Sequence, residues 1–200
     1  MSSRLPVRSP KHGVAQRAAE RRGSRQSVRR LKLFIATSLD GYIAGRDGDT
    51  SWRFRDGDYG YEAFLAGVDT ALLGRRTYET ALSFAQWPYP GRKVVVFTRS
   101  NALRVISPNT VATSRAPADI IAELRARDGK DLWLVGGGGL VRDCLDAGLI
   151  DDVIVSIHPI LLGEGLPFIA PGAARAPLTL TAERRYPSGV VQLSYRADRN

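Results

Sequence analysis

Apolar residues fall in short blocks along this chain, and the blocks follow two rhythms. Leu31–Ala36, Thr70–Leu73, Lys93–Phe97 and Leu132–Val135 are dense apolar runs with the length and texture of strands buried in a sheet. Between them the spacing changes to that of a helix face. Tyr61, Phe64 and Leu65 suit a short helix, Thr77–Leu82 a second, and Ile120, Ile121 and Leu124 a third with Pro117 in its first turn. Leu140, Val141, Cys144 and Leu145 form one face of a fourth, with Gly148 near its end. Asp152–His158 alternates as a strand. Leu178–Glu183 and Val190–Tyr195 read as two more, joined around Pro187-Ser188-Gly189 in a hairpin. Ser38–Tyr59, rich in Gly and Asp, is expected to be mostly loop, and Trp87-Pro88-Tyr89-Pro90-Gly91 forces a turn. Strands alternate with helices first and follow one another later. That order predicts one α/β domain whose sheet is mainly parallel with an antiparallel end, and such sheets bind ligands at the carboxyl ends of their strands.

Composition changes this picture at one end only. The net charge is +9, but residues 1–30 hold nine Lys/Arg against Glu20 alone, so residues 31–200 carry +1. Basicity therefore belongs to a tail. Residues 1–30 have almost no large apolar side chains and are expected to be disordered, with the folded domain at 31–198. The tail could also contact nucleic acid, serve in targeting, or precede the true start. Nucleic-acid binding is thus expected only through the tail. No apolar run approaches the ~20 residues that span a bilayer, so no membrane segment is expected. The one cysteine, Cys144, excludes an intrachain disulfide and a cysteine-based zinc cage, and His12 lies in the tail, so no metal site is expected from His12 and His158. A cytoplasmic protein without a metal is expected.

Three strand ends suit an anion. Leu132-Trp133-Leu134-Val135 runs into Gly136-Gly137-Gly138-Gly139 and then a helix opening at Leu140. Glycine lets backbone amides approach a ligand closely, and the first helical turn adds unpaired amides and a positive dipole end. Ala71-Leu72-Leu73-Gly74-Arg75-Arg76-Thr77 repeats the design with guanidiniums and a hydroxyl. Val94–Phe97 delivers Thr98, Arg99 and Ser100, and an arginine at such a place accommodates a ribose 2′-phosphate. Pyrophosphate plus 2′-phosphate indicates NADPH.

The loop after the first strand carries the candidates for substrate. Asp40 beside Gly41 is either a turn pair or a group that positions a reducible ring. Trp52 supplies a flat wall, and Asp56 or Asp58 a carboxylate for the N–H edge of a pterin or pyrimidine; each is otherwise a solvated loop acid. Reduction also needs a proton, often relayed by a carboxyl group. His158, at a strand end before Pro159, reads as structural, and Cys144 as core.

The motifs Ser38-Leu39-Asp40-Gly41, Leu73-Gly74-Arg75-Arg76-Thr77, the glycine run and Pro159-Ile160-Leu161-Leu162-Gly163-Glu164-Gly165 together resemble the dihydrofolate-reductase-like superfamily. Within it the chain is most similar to the reductase domain of the bifunctional riboflavin-biosynthesis deaminase-reductase, over Leu31–Arg196. The resemblance implies a three-layer α/β/α fold with a mostly parallel central sheet and a C-terminal antiparallel hairpin. It implies hydride transfer from NADPH to a small heterocycle, and it commonly accompanies a homodimer. Carried over by motif, Gly74, Arg75 and Thr77 hold the diphosphate, and Thr98, Arg99 and Ser100 meet the 2′-phosphate. Gly136, Gly137, Gly138, Gly139 and Leu140 meet the diphosphate and nicotinamide ribose. Asp40, as catalytic residue, and Trp52 face the substrate, which lies between the Asp40 loop and the helix at Phe64. In dihydrofolate reductases an acid follows the tryptophan by five residues; here Gly57 stands there, between Asp56 and Asp58. The expected activity resembles 5-amino-6-(5-phosphoribosylamino)uracil reduction. The alternatives are dihydrofolate reduction, or NADPH binding without turnover with nucleic-acid contact through the tail.

Overall fold

The computed structural model describes residues 28–198. The expected tail at 1–30 therefore lies almost wholly outside the described residues. Among the described residues ten strands and four helices follow in the order β1 (Leu31–Ser38), β2 (Tyr42–Ala44), α1 (Tyr61–Ala66), β3 (Val68–Gly74), α2 (Arg75–Leu82), β4 (Lys93–Phe97), β5 (Thr110–Thr113), α3 (Pro117–Arg125), β6 (Asp131–Gly136), α4 (Gly138–Asp146), β7 (Asp152–His158), β8 (Leu166–Pro167), β9 (Leu178–Arg185) and β10 (Val191–Ala197). Eight strands make one sheet in the order β5-β4-β3-β6-β1-β7-β10-β9. From β5 to β7 every pairing is parallel; β10 turns antiparallel to β7, and β9 to β10. β2 and β8 form a separate two-stranded ribbon.

The period of two along each strand separates two cores. Leu31, Leu33, Leu72, Val95, Leu132 and Leu134 face α3 and α4, where Ile121, Leu124, Val141 and Cys144 complete one cluster. Their neighbours Phe34, Ala71, Leu73, Val94, Val96 and Trp133 face the other way, onto Tyr78 of α2 and Phe64 of α1. This is a helix–sheet–helix sandwich. The winding reverses as well: β3-α2-β4 steps toward one edge of the sheet, and β6-α4-β7 toward the other. Helices on opposite faces keep both crossovers right-handed.

The fold takes in residues that composition assigned to the tail. Arg29 is 6% exposed, donates to the Asp69 carboxylate and the Thr70 hydroxyl, and reaches the Leu124 carbonyl oxygen at 3.2 Å. Arg30 pairs with Asp152, and Asp151 accepts from the Leu31 amide at 2.7 Å and from Arg125 at 2.6 Å. These ion pairs clamp the amino ends of β1, β3 and β7. Other departures from the expected elements are small strands. β2 falls in the segment expected to be loop. β5 is an edge strand whose Val111 is half exposed, so no buried face marks it in the sequence. β8 is only two residues long. The α4 helix opens at Gly138 rather than Leu140.

Candidate active site

Strand register brings the motifs to one rim. Gly74 pairs with Phe97, Leu73 with Gly136, and Ser38 with His158, so the carboxyl ends of β3, β4, β6, β1 and β7 are level. On the β3–β6 side, two turns touch. Gly136 and Gly137 have φ of +135° and +97°, and a Cβ on Gly137 would lie 3.1 Å from Thr77 Oγ1 and 3.7 Å from Gly74 Cα. Only a glycine permits both the backbone conformation and the approach. The result is a tight junction of the β3–α2 and β6–α4 turns, with the first-turn amides of α4 beside it. The four glycines differ in role. A Cβ on Gly138 would press on the Pro167 carbonyl at 2.9 Å, whereas one on Gly139 would meet open space. Leu140 is buried in the core, which leaves its backbone amide as the group it can offer.

The flanking side chains are partly engaged. Arg75 makes a surface i,i+4 pair with Glu79 at 2.9 Å. Thr98 Oγ1 accepts from the Ser100 amide at 3.0 Å and Ser100 Oγ from the Ala102 amide at 3.2 Å, which builds a turn after β4. Arg99 is exposed on that turn, with no ion pair among the described residues.

On the β1–β7 side lies a cavity of about 390 Å³. Phe34, Tyr59 and Tyr61 give it aromatic walls; Arg53, Ser156 and His158 give it polar ones. A larger cleft of about 600 Å³ lies at the opposite rim, beside Arg29, Arg30 and Arg196. It sits at the amino ends of the parallel strands, away from the motifs, so the smaller cavity is the candidate site. His158 is 2% exposed, and its Nδ1 accepts from the Phe54 amide at 3.2 Å. The neutral ring therefore carries its proton on Nε2. Burial, and then the charge of Arg53, holds its pKa below the ordinary value, opposed by Asp56. Ser156 Oγ accepts from Gln192 Nε2 at 2.9 Å, and the same amide group reaches the Tyr59 carbonyl at 2.8 Å.

The family follows from comparison with known proteins. The RibD C-terminal domain model matches residues 29–192. The chain belongs to the RibD C-terminal domain family. The Bacillus subtilis protein YyaP is 32% identical over 84% of this chain and 94% of its own length. A crystal structure of a Shewanella sp. PV-4 protein assigned to riboflavin biosynthesis superposes with a TM-score of 0.74 at 30% identity, covering 85% of this chain and 99% of that one. Enterococcus faecalis dihydrofolate reductase, solved with NADP(H), shares the fold at a TM-score of 0.63 and 16% identity, over 85% of this chain and 97% of its own. The expected family and α/β architecture stand, and with them a reductase-like protein.

The family's signature residues do not all face the cavity. Asp40, the expected catalytic residue, has a carboxylate engaged by donors of its own. Ser38 Oγ donates to it at 2.6 Å, Gly163 N at 2.7 Å and Leu162 N at 3.1 Å. These bonds, Ser38's foremost, lower its pKa and keep it ionised, which suits bracing a loop better than giving up a proton. Trp52 stands behind His158, ring to edge at 5.6 Å, and Phe64 stacks behind Phe34 at 4.4 Å. Asp56 accepts from the Tyr59 hydroxyl. Asp58 does line the cavity, while its Oδ1 caps α1 by accepting from Glu62 N at 3.0 Å. Arg53 and His158 line the cavity and are not among the site candidates read from the sequence. The signal for both was weak: a cation next to Trp52, and a polar residue closing an apolar strand.

Among the described residues no group of three His, Cys, Asp or Glu could hold a metal ion, and no helix is long and apolar enough to cross a membrane.

Proposed function

We propose that this chain is an NADPH-dependent reductase of a small heterocycle, with hydride passing from the nicotinamide to a substrate in the Phe34–His158 cavity. The observation that carries this reading is the Gly74–Thr77–Gly137 junction at the carboxyl rim, one step along the sheet from that cavity. In this reading Gly74, Arg75 and Thr77, with the Gly136–Leu140 turn, take the diphosphate and nicotinamide ribose. Thr98, Arg99 and Ser100 take the 2′-phosphate, for which the exposed Arg99 is free of an ion pair among the described residues. NADPH would supply the hydride, and the substrate also needs a proton. His158, neutral and protonated on Nε2, is the cavity group that can donate a hydrogen bond to the atom being reduced, while the proton itself comes from water. The activity that fits the family best is the ribose-to-ribityl reduction of 5-amino-6-(5-phosphoribosylamino)uracil. Asp58 on the cavity wall supports dihydrofolate reduction as the second reading.

The test is titration with NADPH and NADH, followed by NADPH oxidation against both substrates. Failure to bind NADPH at micromolar concentration overturns the proposal. Arg99→Ala should weaken NADPH by roughly 10- to 100-fold, the worth of a charge-assisted bond, and leave NADH nearly unchanged. Equal losses would remove Arg99 from the 2′-phosphate site.

A further inference from the structure

β7 offers the cavity two polar side chains, and each is held by a neighbour that fixes where its proton goes. Ser156 and His158 are two positions apart, so they share one face of the strand, with Cα atoms roughly 6.5 Å apart. Both line the cavity and both are nearly closed to solvent, at 4% and 2% exposure. On the flanking strands, Ala36 of β1 and Gln192 of β10 stand opposite Ser156. Ala36 has no polar side-chain group to offer, so the cross-strand partner of the hydroxyl is Gln192.

The bond between Gln192 and Ser156 has one direction only. The Gln192 side chain meets the Tyr59 carbonyl oxygen at 2.8 Å, and a carbonyl only accepts, so the atom there is the Nε2 amide nitrogen. The same Nε2 reaches Ser156 Oγ at 2.9 Å with its second hydrogen. Ser156 therefore accepts from Gln192 and cannot donate to it, and its own proton has no acceptor among the described residues. His158 is set in the same way. The Phe54 amide fills Nδ1, and the Nε2 proton has no acceptor among the described residues either. Both side chains are thus donors at the cavity they line. A buried donor left unpaired is costly, and a bound acceptor removes that cost.

We infer that Gln192 is a positioning residue that fixes Ser156 as a donor, so that β7 reads two hydrogen-bond acceptors on one edge of the bound ring. The acceptor beside His158 is the group that is reduced. The acceptor beside Ser156 is a second carbonyl oxygen or ring nitrogen that takes no part in the chemistry. Calling the ring a substrate, and its first acceptor the reduced group, rests on the reductase proposal; the donor pair itself does not. A ring with one acceptor leaves a buried donor unmet, and a donor group at either place faces another donor. The pair therefore selects rings by their acceptor pattern, whatever charge they carry.

The experiment uses the full chain saturated with NADP⁺ and two neutral rings of like size as probes. 1,3-Dimethyluracil carries two carbonyl oxygens and N-methyl-2-pyridone carries one; each is titrated by NMR. The two-carbonyl ring should bind roughly 5- to 100-fold more tightly, since the other leaves one donor unpaired. Ser156→Ala should bring that ratio close to one. Gln192→Glu should do the same, because a carboxylate only accepts and so draws the Ser156 proton to itself. If Gln192 served merely as a prop for Tyr59, its loss would weaken both rings alike and leave the ratio unchanged. A wild-type ratio near one, a ratio that survives in Ser156→Ala or in a folded Gln192→Glu protein, or binding of neither ring overturns the inference. If Gln192→Glu does not fold, Gln192→Met removes the donor at similar length and should lower the ratio part-way; an unchanged ratio there is equally adverse. NADP⁺ binding is read first. If it fails, the reductase proposal fails, and the same titrations on the free chain judge the donor pair separately.

Discussion

Alanine at Gly137 and alanine at Gly139 should have opposite effects on stability, although the two glycines are two positions apart in one run. Gly137 has φ +97° and ψ 107°, a conformation that an L-residue adopts only under strain. Strain of this kind costs on the order of 1–3 kcal/mol. The added methyl would also lie 3.1 Å from Thr77 Oγ1 and 3.7 Å from Gly74 Cα, so one turn must move off the other. At roughly 2–4 °C per kcal/mol for a chain of this size, Gly137→Ala should lower the Tm by about 3–10 °C. Gly139 is exposed within the first turn of α4, where a Cβ meets nothing within 4 Å. Alanine there gains up to about 1 kcal/mol of helix propensity, and the Tm should hold or rise.

NADPH affinity separates packing from binding. If the diphosphate lies against this turn, the methyl of Gly139→Ala occupies the space the ligand needs. Affinity should then fall while stability does not. Gly137→Ala should lose both. Thermal denaturation of the two variants, with NADPH titration of each, makes the check. A Gly137→Ala protein with wild-type Tm would refute the strain and contact argument. A Gly139→Ala protein that binds NADPH as wild type does would move the diphosphate off the turn.

Asp40→Asn should lower the Tm at pH 7, because the carboxylate accepts from Ser38, Gly163 and Leu162. The folded pKa is depressed below 3.8, so this stabilisation is present above that value and is lost as pH falls through the folded one. The gap in Tm between variant and wild type should therefore close in acid, and a gap that persists there would deny the ionised clamp. His158 has the same sign: its folded pKa lies below the ordinary 6.5, so protonation destabilises the fold as pH falls below that value. His158→Gln should flatten the Tm profile between pH 7 and pH ~5, and an unchanged slope would mean that other groups set it. Removal of residues 1–27 should leave Tm and NADPH binding unchanged. Removal through Arg30 should lower the Tm by several degrees, because Asp69 and Asp152 lose their partners; equal Tm values for the two truncations would contradict this.

What the sequence reveals here is periodicity, and what it hides is register. The strands of both cores are legible because Leu33 and Phe34, or Leu72 and Leu73, announce opposite faces through their apolar character alone. β5 is not legible, since pairing with β4 makes it a strand and its own residues stay half exposed. Arg29 looks like part of a basic tail until Asp69, forty residues away, is seen to accept from it. The glycine turn was legible as a place of close approach. Its division of labour was not, because what presses on Gly138 is Pro167. The cavity shows the same limit. Choosing loop acids by their chemistry led to Asp40, Asp56 and Asp58, short side chains with local hydrogen-bonding partners to satisfy, and each has one, in Ser38, Tyr59 and Glu62. The walls come instead from strand faces and aromatic loop residues that only the fold brings together.

The two motifs that carry the family resemblance most specifically are parts of one joint. The Leu39 amide donates to the Ile160 carbonyl at 2.8 Å, Asp40 accepts from the amides of Leu162 and Gly163, and the Phe168 amide donates to the Gly41 carbonyl at 2.9 Å. The β2–β8 ribbon continues the contact, and Gly165 passes so close to Ala44 that a side chain would overlap its carbonyl oxygen. Beyond the ribbon the same segment reaches the other half of the site: the Ala170 amide donates to the Gly138 carbonyl at 3.2 Å, beside the close contact with Pro167. Residues 159–170 thus strap the loop after β1 to the turn that opens α4. The separation of this loop from the α4 turn is thus fixed by backbone hydrogen bonds. Under the reductase proposal, a rigid strut of this kind would set the distance between hydride donor and acceptor in advance. Asp40, accepting from Ser38, Leu162 and Gly163, holds this strut in place.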